Sequence, residues 1–432
     1  MASPMLTIDR SSVGCDPIEL YGRLRLAPRV DEWSEGKSTE AKIHRIHPYP
    51  AKFPAFLVAA AFDYAKAEGL DVSKVADVFC GCGTVGYEAA VRNFDFWGCD
   101  INPVATMIAR VKGLRLDPDC FGRHVDTVID RFPEMSITPA ISEDAVRRLA
   151  PWYSENQFND LARLANAIKL EGATDDFQMA LECAFSAIVK PTSFWKSRST
   201  KPARDPERTP PLVLHAFQRQ CKLMSEAWSQ VKTRCEGNSK VIQGNITVVN
   251  GPPQPVDMIV TSPPYVTSYE YADLHQLSAL WLGFADDHRI MRAGIIGTGH
   301  RRTNLGRSLR DMNRVASRVV FSLFEKNKAL AEAVATYFLD MQIVAKRCHD
   351  FMRPGGIAVF VIGNTKLHGV AIDNANHLVE SLLNVEFQKI RVVKRSIMNK
   401  ANTPFRSADG KLSGSPNAMH VYGDEYILMA HR

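Results

Sequence analysis

The segment that decides the fold is Val256-Asp257-Met258-Ile259-Val260, followed directly by Thr261-Ser262-Pro263-Pro264-Tyr265. The first five residues have an apolar core and follow a proline-rich turn, which predicts a short buried strand. The next five then lie at the carboxyl end of that strand, where open α/β sheets bind their ligands. We therefore expect an α/β fold with a functional loop after a buried strand.

The residue types of this loop suit methyl transfer to an exocyclic amine of a planar base, whose nitrogen lone pair is delocalised into the ring. The hydroxyl of Ser262 and the carbonyl of Pro263 can accept hydrogen bonds from both amine hydrogens and favour a tetrahedral nitrogen. Both prolines stiffen the loop because each fixes its own φ, and Tyr265 can stack on the base. The alternative is a Pro-Pro turn with Tyr265 packed on the surface.

Four strings in chain order carry a family resemblance: HPYPAKFP (47–54), FCGCGTVG (79–86), CDINP (99–103) and TSPPY (261–265). Together they resemble S-adenosylmethionine-dependent DNA amino-methyltransferases, particularly those that form N4-methylcytosine. The resemblance covers about residues 46–114 and 240–429. It implies a Rossmann-like class I methyltransferase fold, with a mostly parallel seven-stranded sheet, helices on both faces and a mainly helical insertion.

The cofactor half is predicted from two strands, at residues 75–79 and 94–99. Glycines after the first strand allow close backbone approach to a ligand. Asp100 ends the second, about 20 residues later, where an acidic residue can accept hydrogen bonds from ribose hydroxyls; its alternative role is to cap the helix that begins at Pro103. The resemblance implies that Lys52 and Phe53 line the methionine end of S-adenosylmethionine and that Asn245 lies near the adenine.

The full set of expected site residues follows from these motifs. The expected catalytic residues are Ser262, Pro263, Pro264 and Tyr265, and the expected cofactor contacts are Lys52, Phe53, Asp77, Phe79, Gly81, Gly83, Thr84, Asp100, Ile101, Asn245 and Thr261.

Several other chemistries are disfavoured. The glycine loop lacks the Lys-Ser/Thr pair of a nucleoside-triphosphate loop, and no Pro-Cys dipeptide is present for a C5-methylating thiolate. Cys80 and Cys82 have no second Cys or His pair at zinc-ligand spacing, so no metal is expected. His275 is not assigned to catalysis, since the methylated amine can lose its proton to water.

The order of the motifs predicts three parts. Residues 1–115 are a loosely ordered arm with one short strand, followed by the cofactor motifs. Residues 116–239 are a mainly helical insertion between the second and third strands, and this insertion is a candidate for DNA recognition. Residues 240–432 carry the catalytic motif and a basic segment at residues 289–318.

Positive charge is concentrated in two segments. The basic segment holds eight arginines against one acidic residue, Asp311, an excess larger than the net charge of +6 of the whole chain. Such an imbalance favours phosphate contact, whereas the basic loop at residues 196–204 is also compatible with a solvated surface. The expected DNA contacts are Lys196, Arg198, Lys201, Arg204, Arg289, Arg292, Arg301, Arg302, Arg307 and Arg310. Lys394, Arg395, Lys400 and residues 407–417 are further candidates.

Composition and resemblance together indicate the expected cellular location, substrate and partners. No segment among the 432 residues is apolar enough to span a membrane, no signal pattern is present, and nine cysteines fit a reducing compartment. The resemblance implies double-stranded DNA as substrate, a cognate restriction endonuclease as a partner, and the cytoplasm of a prokaryote or a phage origin. Three alternatives stay open: an adenine-N6 DNA enzyme, among which this motif order is commoner; an RNA or protein-glutamine methyltransferase; and a non-enzymatic DNA-binding protein.

Overall fold

The computed structural model describes residues 5–12, 14–34, 39–50, 52–197, 199, 201–231, 237–266, 270–396, 405–406, 412–413, 419–420 and 424–432. Within these residues, no helix combines the length and the apolar character that crossing a membrane requires.

An eight-stranded sheet forms the centre of the protein. In chain order its strands are β1 (Leu6–Asp9), β2 (Lys74–Asp77), β3 (Asp95–Asp100), β4 (Ser239–Gln243), β5 (Val256–Thr261), β6 (Met352–Gly363), β9 (Lys389–Ser396) and β13 (Asp424–His431). A hairpin of β7 (Thr365–Leu367) and β8 (Val370–Ile372) lies outside it, as does a small sheet of β10 (Phe405–Arg406), β11 (Leu412–Ser413) and β12 (Met419–His420).

The strand order is β1-β9-β13-β6-β5-β2-β3-β4. The neighbours from β4 to β6 pair in parallel, whereas β13 is antiparallel to both β6 and β9. This is the sheet of a Rossmann-like class I methyltransferase, so the predicted fold class is confirmed. The seven expected strands are present, and β1 adds an eighth by antiparallel pairing with β9.

Helices cover both faces of the sheet. On one face lie α2 (Ala55–Ala67) and α3 (Thr84–Val91); on the other lie α1 (Pro17–Arg25), α13 (Arg314–Phe324), α14 (Lys328–Phe351) and α15 (Asn374–Asn384). Successive residues of a strand point to opposite faces. Accordingly, Met258 and Val260 of β5 pack in the core with α2 and α3, while Ile259 packs in the other core. All six residues of β5 are buried, as expected for a strand covered on both sides.

In the described part of the N-terminal arm, a strand and a helix pack into the core, whereas one short strand was predicted. Ile8 of β1 is fully buried, and Leu20 and Leu24 anchor α1 in the core. The sequence signal was weak because β1 has only four residues, of which Thr7 and Asp9 are polar.

A run of helices separates β3 from β4 in the chain. It comprises α4 (Pro103–Gly113), α5 (Pro118–Arg131), α6 (Glu143–Leu149), α7 (Glu155–Leu170), α8 (Asp175–Val189) and α9 (Val213–Ser229). The N-cap residues of α5, α6 and α7 are Asp117, Ser142 and Ser154. Each N-cap side chain accepts a hydrogen bond from a backbone amide in the first turn of its helix. Phe121, Leu161 and Phe217 form a core that continues onto α4. This core therefore fixes the helices to the cofactor side of the sheet.

Three short helices follow β5 in the chain. They are α10 (Tyr271–Leu274), α11 (Gln276–Trp281) and α12 (Leu305–Ser308). Trp281 of α11 packs in the same core as α8, so the chain after the catalytic motif is held against the helical region.

Candidate active site

One pocket lies at the carboxyl ends of β2, β3 and β5. Its lining consists of Tyr49, Lys52, Phe53, Pro54, Leu57, Val78, Phe79, Cys80, Gly81, Cys82, Thr84, Asp100, Ile101, Asn102, Gly244, Asn245, Ile246, Ser262, Pro263, Pro264, Tyr265, Tyr271, Gly294, Ile295, Ile296, Val361, Arg395 and Glu425. The pocket thus brings together the four predicted catalytic residues and every predicted cofactor contact except Asp77, Gly83 and Thr261.

The glycine loop forms the floor of the pocket. Gly83 adopts a φ of 76° as the residue before α3, and a Cβ there would lie 2.7 Å from the Cα of Ala109 on α4. A side chain at this position would push α3 away from α4 and open the loop. Thr84, the first residue of α3, is buried, and its Oγ1 has no hydrogen-bond partner among the described residues. An orphaned hydroxyl at a helix N-terminus suits an anionic group such as the cofactor carboxylate.

Asp100 connects the end of β3 to this floor. Its Oδ2 accepts a hydrogen bond of 2.9 Å from the Gly81 amide, and its Oδ1 accepts one of 2.9 Å from the Asn102 amide. The cap of α4 is Asn102, which accepts from Val104, and not Asp100. Desolvation raises the pKa of Asp100, although the amide contacts oppose the shift. Each carboxylate oxygen can accept a second hydrogen bond, so a ribose can still bind here.

Tyr49 lines the pocket, and His275 stacks behind it; neither residue was among the expected site residues. Their ring centroids are 5.0 Å apart with an interplanar angle of 24°, and the Tyr49 ring lies 3.7 Å from the position of a Cβ on Gly81. Burial lowers the pKa of His275 to about 3, so its ring is neutral at pH 7. Asn102 Nδ2 donates to His275 Nδ1 over 2.7 Å. His275 therefore supports the Tyr49 ring and is not poised as a base.

The stiff segment before α2 contributes Lys52 and Phe53. Lys52 Nζ donates to Glu40 Oε2 over 2.5 Å and to the carbonyl of His44 over 3.0 Å. These contacts fix the lysine at the pocket rim and balance its charge.

Asp77 and Thr261 lie behind the pocket. The Thr261 hydroxyl donates to Asp77 Oδ1 over 2.7 Å, and the Phe79 amide donates to the same oxygen over 3.0 Å. Burial raises the pKa of Asp77 to about 7. This hydrogen bond joins β5 to the end of β2 and holds the loops that follow both strands. Neither Asp77 nor Thr261 lines the cavity, although both were expected to contact the cofactor.

Ser262 is oriented by the neighbouring strand. Its hydroxyl donates to the carbonyl of Val361 on β6 over 3.1 Å. Because that hydrogen bond uses the only proton of the hydroxyl, Ser262 can offer lone pairs to a ligand that donates.

Tyr265 lies against β6 and β13. A Cβ on Gly363 would be 2.9 Å from Tyr265 Cε2, and the Tyr265 hydroxyl donates to Glu425 Oε1 over 2.8 Å. Glu425 is in turn paired with Arg395. Arg395 is 5% exposed, which corrects its expected place on a nucleic-acid surface, and Lys394 donates to the carbonyl of Arg25 over 2.9 Å. Lys400 lies outside the described residues.

The start of the basic segment closes the pocket on the Asn245 side. Asn245 Nδ2 donates to the carbonyl of Gly294 over 3.3 Å, while its Oδ1 accepts from the amide and hydroxyl of Thr247. Ile295 and Ile296 also line the cavity, an apolar contribution that charge counting did not detect.

The expected DNA contacts differ in their pairing. Arg289 pairs with Asp287, Arg292 with Asp273 and Arg301 with Asp340, at 2.6, 2.6 and 2.5 Å. All three acids lie outside residues 289–318. They neutralise three of the eight arginines of the basic segment, so fewer arginines are left for phosphate than the charge count of the segment indicates. Arg302 and Arg310 are exposed and form no ion pair within the described part of the chain. The side chain of Arg307 lies outside that part.

The basic loop at residues 196–204 is built around Arg208. Its guanidinium donates to the carbonyls of Pro191, Ser193 and Trp195 at 2.7–2.8 Å. The exposed basic side chains in the described part of this loop are those of Lys196, Lys201 and Arg204. Arg198 lies outside the described residues.

The strand order is that of the Rossmann-like class I methyltransferase fold, and the pocket lies at the carboxyl edge of its sheet. The chain is 23% identical over 420 residues to Type II methyltransferase M.MvaI of Kocuria varians, and the alignment covers 91% of each protein. No model of a known protein family matches the sequence.

Two solved structures are distantly similar to this chain. The rRNA methyltransferase aviRa from Streptomyces viridochromogenes is 11% identical, with 91% of this chain and 90% of that chain covered and a TM-score of 0.28. A SAM-dependent methyltransferase from Methanosarcina mazei is 9% identical, with 85% and 96% covered and a TM-score of 0.29.

Proposed function

We propose that this protein is a site-specific DNA methyltransferase that methylates the exocyclic amine of a flipped base, with cytosine N4 as the target. The observation that carries the proposal is the orientation of Ser262, whose hydroxyl donates to Val361 and so faces the pocket as an acceptor. The exocyclic amines of cytosine and of adenine are donors and are complementary to it. The choice of cytosine rests on the resemblance of TSPPY to the motif of enzymes that form N4-methylcytosine. The TSPPY motif and the Type II methyltransferase relative support DNA as the substrate.

S-adenosylmethionine fits the rest of the pocket. Asp100 offers acceptors to ribose hydroxyls, and the Thr84 hydroxyl with the N-terminus of α3 offers donors to a carboxylate. When bound, the cofactor supplies an electrophilic sulfonium methyl group.

The catalytic contribution of the protein is orientation and electrostatics. Extruding the base from a duplex costs a few kcal/mol, and stacking on Tyr265 offsets part of that cost. Ser262 and the carbonyl of Pro263 would accept the two amine hydrogens and leave the nitrogen lone pair free to attack the methyl group. The bond from the methyl carbon to sulfur would break at the same time, and S-adenosylhomocysteine would be the leaving group. After transfer the nitrogen releases one proton to water, since the pKa of about 3 makes His275 a weak base and its ring is stacked behind Tyr49.

Adenine N6 is the second candidate, because cofactor motifs that precede the catalytic motif are commoner among adenine enzymes. The test incubates the protein with S-adenosylmethionine carrying a labelled methyl group and with DNA, and then identifies the labelled nucleoside after digestion. N4-methylcytosine supports the proposal, whereas N6-methyladenine replaces the base assignment. Label in RNA or protein but not in DNA would overturn the DNA assignment.

The exposed arginines of the basic segment provide a test of DNA contact. We expect Arg302→Glu with Arg310→Glu to weaken DNA binding at least about 10-fold and to reduce the slope of log K against log salt by about 2, because two phosphate contacts are lost. Arg301 is unsuitable for this test, since its reversal would leave the buried Asp340 without its cation. Affinity is measured by fluorescence anisotropy across a salt series.

A control with the same change in net charge is Lys66→Glu with Lys346→Glu. Both lysines are exposed and lie outside the two basic segments. If this control weakens binding as much as the arginine pair does, the effect comes from net charge and the basic segment has no special role.

A further inference from the structure

Three residues that are distant in the chain form one row across the sheet. In the strand register Glu425 of β13 faces Arg395 of β9 on one side and Gly363 of β6 on the other. The Tyr265 ring covers Gly363, since a Cβ at that glycine would lie 2.9 Å from the ring. The row therefore brings a glutamate, an arginine and the aromatic residue of the catalytic motif to one side of the pocket.

Glu425 uses its two oxygens for different partners. Arg395 Nε and Nη2 donate to Oε2 over 2.7 and 2.6 Å, while the Tyr265 hydroxyl donates to Oε1 over 2.8 Å. The side chains of Arg395 and Glu425 are 6% and 4% exposed. The carboxylate thus links a buried cation to the tyrosine hydroxyl.

A pair as buried as this one is a weak source of stability. Desolvation of two charges can exceed their mutual attraction, and apolar replacements of such pairs are often neutral or stabilising. The pair lies at the pocket wall beside Ser262 and Tyr265. Its effect is instead to fix the Tyr265 ring, because a hydrogen bond to a charged acceptor is stronger than one between neutral groups.

We infer that Glu425 and Arg395 are positioning residues for the methyl-transfer step, which act through the hydroxyl of Tyr265 to hold its ring where the target base stacks. This inference rests on the proposed function. Gly363 takes part by leaving space for the ring, and Arg395 takes part by orienting the Glu425 carboxylate through its two contacts.

A double-mutant cycle tests the inference. Tyr265→Phe removes the hydroxyl and keeps the ring, and Glu425→Gln keeps an oxygen acceptor but removes the charge that Arg395 requires. Each single variant is expected to lower kcat for DNA methylation about 10-fold, since a hydrogen bond to a charged group is lost or weakened. KM for S-adenosylmethionine should stay unchanged. In the Tyr265→Phe background, Glu425→Gln should lower kcat by less than about 2-fold further, because coupled residues are not additive.

A matched control lies at the opposite edge of the sheet. Asp257 at the start of β5 is also buried and paired, with Arg353 Nε 2.5 Å from its Oδ1. Asp257→Asn should lower the melting temperature and leave kcat unchanged, which separates a loss of stability from a loss of positioning.

The outcomes distinguish the two levels of the proposal. If the wild-type protein methylates no DNA, the proposed function fails. If it methylates DNA but the two losses multiply in the double variant, Glu425 does not act through Tyr265 and the inference is overturned. Should Glu425→Gln fail to fold, Tyr265→Phe decides alone, since full retained kcat in that variant contradicts any role for its hydroxyl.

Discussion

Replacing Ser262 with alanine is expected to lower kcat by about 10²- to 10³-fold, the loss seen when one preorganised hydrogen-bonding group is removed from a transition-state site. The affinity for S-adenosylmethionine should stay within about 2-fold, because that loss concerns the reacting amine. Single-turnover methylation of DNA with labelled cofactor measures the first quantity, and calorimetry measures the second.

The structure gives the physical reason for this separation. The Ser262 hydroxyl donates to Val361 and keeps its lone pairs for the base, whereas the proposed cofactor contacts of Asp100 and Thr84 come from other loops. Removing the oxygen leaves one amine hydrogen without an acceptor at the moment when the nitrogen must become tetrahedral. The side chain of alanine still fits because it is smaller.

Ser229→Ala provides the control for this prediction. Ser229 ends α9 on the exposed surface, and its hydroxyl contacts only the carbonyl of Glu226 among the described residues. Its kcat should equal that of the wild type. If Ser262→Ala retained more than about a third of the wild-type kcat, the serine would not orient the amine and the catalytic assignment of the loop would be wrong.

The parts of the fold that were predictable are those whose physical cause is local. The glycines at 81 and 83, the prolines at 263 and 264 and the apolar run of β5 each restrict the backbone within a few residues. Such restrictions can be recognised in the sequence without knowledge of distant partners. The mostly parallel sheet with helices on both faces could then be anticipated through the family resemblance that these strings carry.

The parts that escaped prediction depend on contacts between distant residues. Tyr265 and Glu425 are separated by 160 positions, and Arg301 and Asp340 by 39. No periodicity or motif connects either pair. Counting charges within residues 289–318 therefore overestimated the positive charge that is free to contact DNA. Arg395 was expected on the surface for the same reason, because its buried partner Glu425 lies on the distant strand β13.

The second large effect concerns the cofactor. Replacing Asp100 with alanine is expected to raise the dissociation constant for S-adenosylmethionine about 100-fold, because each hydrogen bond to a charged group contributes about 1.5–3 kcal/mol and a ribose presents two hydroxyls. The Gly81 amide also loses its acceptor, so the glycine loop is held less firmly. Calorimetric titration of the cofactor measures the change.

A matched control lies at the other end of the same strand. Asp95 begins β3, and its Oδ1 accepts from the Asn238 amide over 2.8 Å. Asp95→Ala should leave the dissociation constant for the cofactor unchanged, because this contact is at the amino end of the strand and away from the pocket. Equal losses in both variants would indicate a general disturbance of β3.

The dependence on pH gives an independent check on Asp100. Burial raises the pKa of its carboxyl group, so protonation on acidification begins at a higher pH than for an exposed aspartate. A protonated carboxyl group is a weaker acceptor for ribose hydroxyls, and the affinity of the wild-type protein for S-adenosylmethionine should therefore fall as the pH is lowered. Asp100→Ala should lose that part of the pH dependence. An unchanged dissociation constant in the variant would restrict Asp100 to holding Gly81 and Asn102, with no contact to the ribose.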